Sequence, residues 1–137
     1  MLVLPSEVRA EIDGWTRAGY PEETCGLLIG RPHAGRAETA RAILARNLNR
    51  ERARDRYELD PADFLAADLA AREDRLEIVG VWHSHPDHPA EPSETDRLAA
   101  WEGWSYLIVE VTRSGVAAVR SWRLQSQRFV EEPITSS

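Results

Sequence analysis

Residues 83–86, His-Ser-His-Pro, and residues 93–96, Ser-Glu-Thr-Asp, decide how this chain is interpreted. An apolar run over residues 77–82 leads into the first segment and predicts a buried central strand. Side chains two residues apart on a strand point to the same face, so His83 and His85 would present both imidazoles together. Pro86 ends the strand and begins a loop.

The second segment predicts the start of a helix. Ser93 has the character of an N-cap, with Pro92 before it and the sequence Leu-Ala-Ala-Trp at residues 98–101 behind it. Asp96 would then lie in the first helical turn. Two nitrogens and one oxygen, with a fourth position for water, form the donor set of a catalytic zinc site rather than of a closed structural one.

Each half of this pattern has a simpler interpretation when it is taken alone. A single His-x-His is more often a coincidence than a pair of ligands. Ser93 and Asp96 also form a variant of the capping box, whose only purpose is stability. The ordered combination, with six residues between the two segments, has few chance matches. We therefore interpret the two segments as parts of one metal site.

The combined pattern resembles the motif of the JAMM (MPN+) metalloprotease family. In that family a glutamate in a segment of the form Glu-x-Cys-Gly-Leu-Leu-x-Gly completes the site, and residues 23–30 of this chain read Glu-Thr-Cys-Gly-Leu-Leu-Ile-Gly. The resemblance extends from about Leu2 to about Leu124. It is closest to the small, stand-alone prokaryotic branch of the family.

The resemblance implies a fold. We expect one JAMM/MPN domain over residues 1–137, of the α/β class. Its curved, mixed and mostly antiparallel sheet would be flanked by three helices in a cytidine-deaminase-like architecture. Residues 130–137 are expected to form a frayed tail.

The resemblance also implies roles for five residues. His83, His85 and Asp96 would bind one Zn²⁺ per chain. Glu23 would be the general base that activates the zinc-bound water, and Ser93 would help to stabilise the tetrahedral oxyanion.

Two further residues near this pattern have no role in it. Cys25 is interpreted as a small buried residue. His88, in the loop between the two segments, is interpreted as a solvated side chain or a residue at the edge of the site, and contact with the substrate is a separate alternative.

The activity implied by the resemblance is hydrolysis of a peptide or isopeptide bond. The bond would lie at the C-terminus of a ubiquitin-like or ThiS/MoaD-like sulfur-carrier protein. The resemblance does not identify the carrier, the residue after the scissile bond, or a preference between the two kinds of bond. The alternative is a non-catalytic MPN-type scaffold. A zinc deaminase is excluded, because its Pro-Cys-x-x-Cys motif needs two cysteines and the chain has one.

Composition limits the remaining classes of function. The formal net charge of −6 argues against a nucleic-acid-binding face, although five arginines cluster between residues 46 and 56. The chain has no apolar run of eighteen residues, so we expect no membrane span. A single cysteine excludes an intramolecular disulfide, and we expect a cytoplasmic protein. The sequence does not indicate an oligomeric state.

Periodicity and turn signals predict the other elements. Strands are expected near residues 2–4, 26–30, 57–59, 106–111, 116–124 and 129–130. Residues 39–48 fit either a strand or a helix by their pattern, and the resemblance to the JAMM family favours a strand. Helices are expected to begin at Pro5, after Asp60 and at residue 94, and the last is expected to end near residue 102. In the second helix, leucines 65, 69 and 76 are expected to form the buried face.

The five tryptophans are interpreted mainly as core residues. Trp15 and Trp101 lie on apolar helical faces, and Trp122 lies on a strand. Trp82 precedes His83 and is expected to form a wall of the site. Trp104 has no assignment.

Overall fold

A computed structural model describes residues 1–54 and 56–137. The elements in chain order are β1 (Leu2–Val3), α1 (Ser6–Gly19), β2 (Cys25–His33), β3 (Arg36–Ala45), α2 (Pro61–Glu73), β4 (Glu77–Pro86), α3 (Glu94–Ala99), β5 (Ser105–Thr112), β6 (Gly115–Gln125), β7 (Arg128–Glu132) and β8 (Ile134–Thr135). None of the described helices has the length and apolar character that a membrane-spanning segment requires.

The strands form one mixed sheet in the order β7-β6-β5-β4-β2-β3-β1-β8. The β4–β5 pair and the two pairs made by β1 are parallel, whereas the remaining four described pairs are antiparallel. The α/β class, with a mixed and mostly antiparallel sheet and three helices, is therefore confirmed.

The sheet has a hydrophobic core on each face. On one face α1 buries Val8 and Ile12 against Leu28 of β2. On the other face α2 packs against Leu27 and Ile29 of the same strand. Neighbouring residues of β2 thus serve opposite cores, as the two-residue period of a strand requires. Strand β2, which pairs with β4, is therefore held from both sides.

Glycine is required where the central strands pack most closely. A Cβ at Gly26 would lie 1.9 Å from the carbonyl oxygen of Ile43 and 2.4 Å from Nε1 of Trp82. A Cβ at Gly80 would lie 2.2 Å from the carbonyl oxygen of Ser105. Neither backbone neighbour can move without breaking the sheet, which explains why apolar runs of this chain are interrupted by glycine.

The C-terminal tail is ordered into the sheet, contrary to expectation. β7 pairs with β6, and after Pro133 the short β8 pairs with β1 at the opposite end of the strand order, so the sheet nearly closes on itself. The backbone N–H of Leu2 donates to the carbonyl of Pro133 at 2.9 Å, and that of Leu4 donates to Thr135 at 2.7 Å. The expectation that residues 130–137 fray was wrong, because these pairings are long-range and leave no local sequence signal.

Helix α2 begins as the sequence predicts but buries a different face. Asp60 is the N-cap and its side chain accepts a hydrogen bond from the N–H of Ala62 at 2.8 Å. The buried residues are Ala67 and Ala71, whereas Leu65 and Leu69 are 59% and 56% exposed. The prediction for these two leucines was wrong. Small residues four apart let the helix lie close to the sheet. The leucines are two residues from the alanines, about 200° round the helix, and so point outward.

Several boundaries differ from those predicted. β2 and β3 extend to a tight hairpin at Ala34 and Gly35, both with positive φ, because these two residues supply the left-handed conformations of a short β-turn. The predicted strand at residues 57–59 is reduced to a single bridge between Asn47 and Leu59. Helix α3 ends at Ala99, three residues earlier than expected.

Candidate metal centre

Both histidines lie at the carboxyl end of β4, in the middle of the sheet. His83 pairs with Cys25 of β2 on one side and with Ile108 of β5 on the other. The side chains of His83 and His85 are buried and on the same face, and their Nε2 atoms are 3.1 Å apart. The predicted convergence of the two imidazoles is therefore what the fold produces.

The carboxylate of Asp96 completes a triangle with the two imidazoles. Its Oδ2 lies 3.4 Å from Nε2 of His83 and 3.3 Å from Nε2 of His85. The same oxygen accepts a hydrogen bond from the N–H of Ser93 at 2.8 Å, while Oγ of Ser93 accepts from the N–H of Asp96 at 3.0 Å. The capping box at the start of α3 thus aims one carboxylate oxygen at both histidines.

Glu23 brings a second carboxylate to the same place. It is buried, and one oxygen of its side chain forms a group with a ring nitrogen of each histidine in which every atom lies within 4.8 Å of the others. Its backbone N–H donates to the carbonyl of Ala53, and its carbonyl accepts from Nδ2 of Asn47 at 3.1 Å. The Glu23 backbone is therefore held from both sides.

A cross-strand contact sets the distance between Glu23 and the histidines. Oγ of Ser84 accepts a hydrogen bond from the N–H of Thr24 at 2.8 Å, and the N–H of Ser84 donates to the carbonyl of Thr24 at 2.9 Å. Ser84 lies between the two histidines and Thr24 follows Glu23. These bonds tie the two halves of the sequence pattern, sixty residues apart, into one site.

The electrostatics of the triangle keep the carboxylate ionised. Burial raises the pKa of Asp96, but hydrogen bonds from His83 and His85 outweigh burial and hold this pKa well below its usual range. Burial lowers the pKa of His83, and Asp96 only partly offsets that effect. Burial also acts to lower the pKa of His85, yet the hydrogen bonds to Asp96 and to the carbonyl of Pro89 prevail and raise it.

The donor set fits a tetrahedral metal cation. At zinc–nitrogen and zinc–oxygen distances of about 2.0–2.1 Å, tetrahedral geometry places neighbouring donor atoms about 3.3 Å apart. The three separations observed here are 3.1, 3.3 and 3.4 Å. His85 donates from Nδ1 to the carbonyl of Pro89 at 2.7 Å, so in the neutral ring Nε2 carries a lone pair. A cation at the centre would take the place of the protons through which the imidazoles otherwise donate to Asp96.

Two aromatic rings enclose the histidines. Tyr57 stacks on His83 with ring centroids 4.5 Å apart, and His88 stacks on His85 at 4.4 Å. His88 also donates from Nδ1 to the carbonyl of Pro86 at 2.7 Å and lines the cavity beside the site. Of the two interpretations of His88, the structure favours a residue at the edge of the site.

A cavity of about 830 Å³ opens from the metal centre. Glu23, His85, Ser93 and Asp96 line one part of it. The remainder is largely aromatic and aliphatic, and includes Tyr57, Leu59, Phe64, Trp101, Trp104 and Tyr106. Its size exceeds that of a single side chain and suits a short extended peptide.

Some tryptophan side chains lie in places that differ from the prediction. Trp101 is 70% exposed at the rim of the cavity, and Trp104 forms part of its wall. Trp82 is buried on the opposite face of the sheet, where its ring stacks on Trp15 and its Nε1 donates to the carbonyl of Ile43. The prediction that Trp82 walls the site was wrong because alternate residues of β4 face opposite sides, and His83 takes the other side.

Cys25 is not suited to act as a nucleophile. It is fully buried, and burial raises the pKa of its thiol to about 12, with Glu23 as a further cause. A thiol reacts as the thiolate, which this environment suppresses. The interpretation of Cys25 as a small buried residue is consistent with its place opposite His83 in the sheet.

Sequence reasoning missed the residues that support this centre. Tyr57 stacks on His83, and Asn47 donates to the carbonyl of Glu23. Both lie in segments that the sequence predicts only as strands, without a functional role. Asn47 also donates to the carbonyl of Arg56 and accepts from the N–H groups of Asn49 and Glu58. The sequence shows that Asn47 precedes a charged segment, but it does not show that the Asn47 side chain reaches Glu23.

Comparisons with known proteins identify the family of this chain. A family model of prokaryotic homologues of the JAB domain matches residues 5–125. The chain belongs to this family. A solution structure of a protein from Desulfitobacterium hafniense superposes on this JAB domain with a TM-score of 0.86, at 29% identity, over 98% of this chain and 91% of the other.

Two relatives of this JAB domain carry functional names. The desampylase of Haloferax volcanii is 36% identical over 112 residues, which cover 78% of each chain. The CysO-cysteine peptidase of Mycobacterium tuberculosis is 30% identical over 136 residues, covering 98% of this chain and 90% of the relative. The chain is an enzyme, a hydrolase of the JAMM peptidase type. The alternative of a non-catalytic scaffold is therefore disfavoured.

Proposed function

We propose that this protein is a zinc-dependent metallopeptidase. It hydrolyses a peptide or isopeptide bond at the C-terminus of a ubiquitin-like or ThiS/MoaD-like sulfur-carrier protein. The observation that carries the proposal is the convergence of two imidazole nitrogens and one carboxylate oxygen, 3.1–3.4 Å apart, beside the buried carboxylate of Glu23.

His83, His85 and Asp96 are the residues that would hold one zinc ion. Zinc bound by such a set lowers the pKa of water towards neutrality and polarises a carbonyl group. Glu23 and Asp96 both offer a carboxylate to the histidines. We assign Asp96 as the ligand, because its Oδ2 is equidistant from both Nε2 atoms and is fixed by the N–H of Ser93.

Glu23 is then the general base. Its carboxylate lies within the reach of one water molecule from both histidines, so it can take a proton from the attacking water and deliver it to the leaving amine. Ser93 Oγ accepts the N–H of Asp96, which leaves its own hydroxyl hydrogen to point towards the developing oxyanion. Glu23 is buried, which keeps competing water away from its carboxylate.

The carrier-protein substrate is supported by the names of the relatives and by the shape of the cavity. One relative is named for removing a ubiquitin-like modifier and another for a peptidase acting at CysO-cysteine. The cavity of about 830 Å³ runs from the metal centre to Trp101 at the surface. It can accept an extended C-terminal tail whose last residues reach the zinc.

The test is cleavage of carrier proteins followed by intact mass. Each ThiS/MoaD-like carrier of the same organism is prepared with a short peptide after its C-terminus, and also as a conjugate to a lysine side chain. We expect zinc-loaded wild type to release the added group from at least one carrier. Glu23→Gln should be slower by about 10²–10⁴-fold, because it lacks the base.

The matched control for this experiment is Glu22→Gln. Glu22 is the exposed neighbour of Glu23 and does not line the cavity. Its variant should cleave at the wild-type rate. Failure of the wild type to shorten any carrier would contradict the substrate, and equal rates for wild type and Glu23→Gln would contradict the base.

A further inference from the structure

The segment between the two halves of the metal centre is fastened to the body of the protein by several hydrogen bonds. We call residues 87–92, between His85 and Ser93, the ligand loop. Asp87 accepts a hydrogen bond from the hydroxyl of Tyr20 at 2.6 Å. The carbonyl of Ala90 accepts from Nε1 of Trp122 at 3.1 Å, and Oε1 of Glu91 accepts from Arg120 at 3.3 Å.

The contact from Trp122 lies next to the bond that orients a candidate ligand. Pro89 precedes Ala90, and its carbonyl accepts the Nδ1–H of His85 at 2.7 Å. Ala90 itself is buried. Two successive carbonyls of the ligand loop are therefore fixed, one by the indole of β6 and one by the imidazole of β4. A displacement of the Ala90 carbonyl therefore also moves the neighbouring Pro89 carbonyl, which accepts the hydrogen bond from His85.

Arg120 and Trp122 form one unit on β6. They are two residues apart and so share a face of the strand. The guanidinium of Arg120 lies 4.6 Å from the centre of the Trp122 ring, a cation–π contact. It also donates twice to Glu131 of β7, at 3.0 and 2.8 Å, which fixes its orientation towards Glu91.

We propose that Trp122 and Arg120 are positioning residues of the metal centre. They hold the ligand loop so that Pro89 orients the imidazole of His85 and so that Ser93, at the end of the loop, aims the carboxylate of Asp96. Neither side chain belongs to the donor set or to the cavity lining. The inference rests on the proposed function insofar as that function requires a metal at these residues.

The test measures zinc affinity by competition with a chelator. Outer partners of metal ligands typically contribute 10–100-fold to metal affinity. We expect Trp122→Phe, which removes only the indole N–H and some ring area, to bind zinc about 10-fold more weakly than wild type. Arg120→Gln should be weaker by a few-fold, about half an order of magnitude, because its contact with Glu91 is exposed.

Two matched variants control for the loss of a ring or of an ion pair. Trp15→Phe replaces another half-buried indole with a phenyl ring. The Trp15 ring stacks on Trp82 and does not contact the ligand loop. Arg41→Gln removes an arginine that is as exposed as Arg120 and pairs with Asp74. Both should bind zinc as wild type does. Trp122→Phe and Arg120→Gln with the affinity of these controls would overturn the proposal.

A spectroscopic measurement separates positioning from general stability. In metal-free wild type, ¹⁵N shifts should show His85 with its proton on Nδ1, because Pro89 accepts it. We expect Trp122→Phe to show mixed tautomers and faster amide exchange in the ligand loop while β4 amides stay protected. An unchanged His85 signal in a folded Trp122→Phe would overturn the proposal.

The outcomes distinguish this inference from the proposed function. If wild type binds no zinc, the proposed function fails and the positioning role fails with it. If wild type binds zinc tightly and both variants do as well, only the positioning role fails. Should Trp122→Phe not fold, Arg120→Gln and Glu91→Gln carry the same comparison, because both break the exposed contact between Arg120 and Glu91. Of the two, Glu91→Gln leaves the contacts of Arg120 with Trp122 and Glu131 in place.

Discussion

At the scale of single residues, the carboxylate of Asp96 has two structural roles. Its Oδ2 closes the capping box with Ser93 and also faces both histidines. The two interpretations available from the sequence, a helix cap and a metal ligand, are therefore compatible. Sequence patterns could indicate these residues because their spacing is local. They could not indicate Tyr57 or Trp122, whose contacts with the site depend on strands distant in the chain.

Ser93 offers a test at this scale, because its hydroxyl has both a structural and a catalytic role. Ser93→Ala should lose the cap, which costs about 1 kcal/mol of stability. It should also lower kcat by about 10²–10³-fold, the usual effect of removing one oxyanion donor. Thermal unfolding and steady-state kinetics measure the two effects. Ser93→Thr keeps the hydroxyl and should retain most of the activity, whereas a kcat unchanged in Ser93→Ala would rule out the oxyanion role.

At the scale of elements, α2 shows where periodicity misleads. The leucines at 65 and 69 and the alanines at 67 and 71 each recur at helical spacing, so both faces satisfy the same rule. The more apolar face is outward and the smaller face is buried. The alanine face is buried because it lets the helix lie closer to the sheet. A hydrophobicity pattern does not show how closely a helix approaches a sheet. Helix starts were better predicted, since Asp60 and Ser93 act through neighbours in sequence.

Substitutions on the buried face of α2 should therefore cost more stability than substitutions on its exposed face. Ala71→Leu places a larger side chain in a filled interface and should destabilise the protein by about 1–3 kcal/mol. Leu69→Ala removes an exposed side chain and should change stability by about 0.5 kcal/mol or less. Urea unfolding of both variants measures the difference. A larger loss for Leu69→Ala than for Ala71→Leu would mean that the leucine face is covered.

At the scale of the whole molecule, a buried acid joins the two ends of the chain. Glu132 accepts hydrogen bonds from Ser121 at 2.8 Å and Arg123 at 2.9 Å, and it pairs with the amino group of Met1 at 2.9 Å. It is the last residue of β7 and lies two residues before β8, where the sheet nearly closes. Closure of this kind depends on contacts between chain ends, which explains why the sequence predicted a frayed tail instead.

Glu132 should make stability depend on pH. Burial raises its pKa, but the hydrogen bonds from the Met1 amine and Arg123 outweigh burial and lower the pKa below its usual value. The stabilisation is present above about pH 4.3, the value for an unfolded glutamate, and is lost as the pH falls through the folded pKa. Glu132→Gln should cost about 1–3 kcal/mol at pH 7 and reduce the loss of stability in acid.

Unfolding curves between pH 7 and pH 3 measure this dependence. The control is Glu38→Gln, which replaces an exposed glutamate of β3 and should leave the pH dependence as it is in wild type. Parallel pH profiles for wild type and Glu132→Gln would contradict the role of Glu132 in closing the sheet.

The proposed function depends on one metal ion held by His83, His85 and Asp96, with Glu23 beside it as the base. The most direct measurement is the zinc content, by elemental analysis, of dialysed wild type, Asp96→Asn and Glu23→Gln. The last two are matched, since each replaces a buried or half-buried carboxylate with its amide. We predict about one zinc per chain in wild type and Glu23→Gln, and a large loss in Asp96→Asn. Wild type without zinc after reconstitution, or zinc lost from Glu23→Gln and kept by Asp96→Asn, would contradict the account.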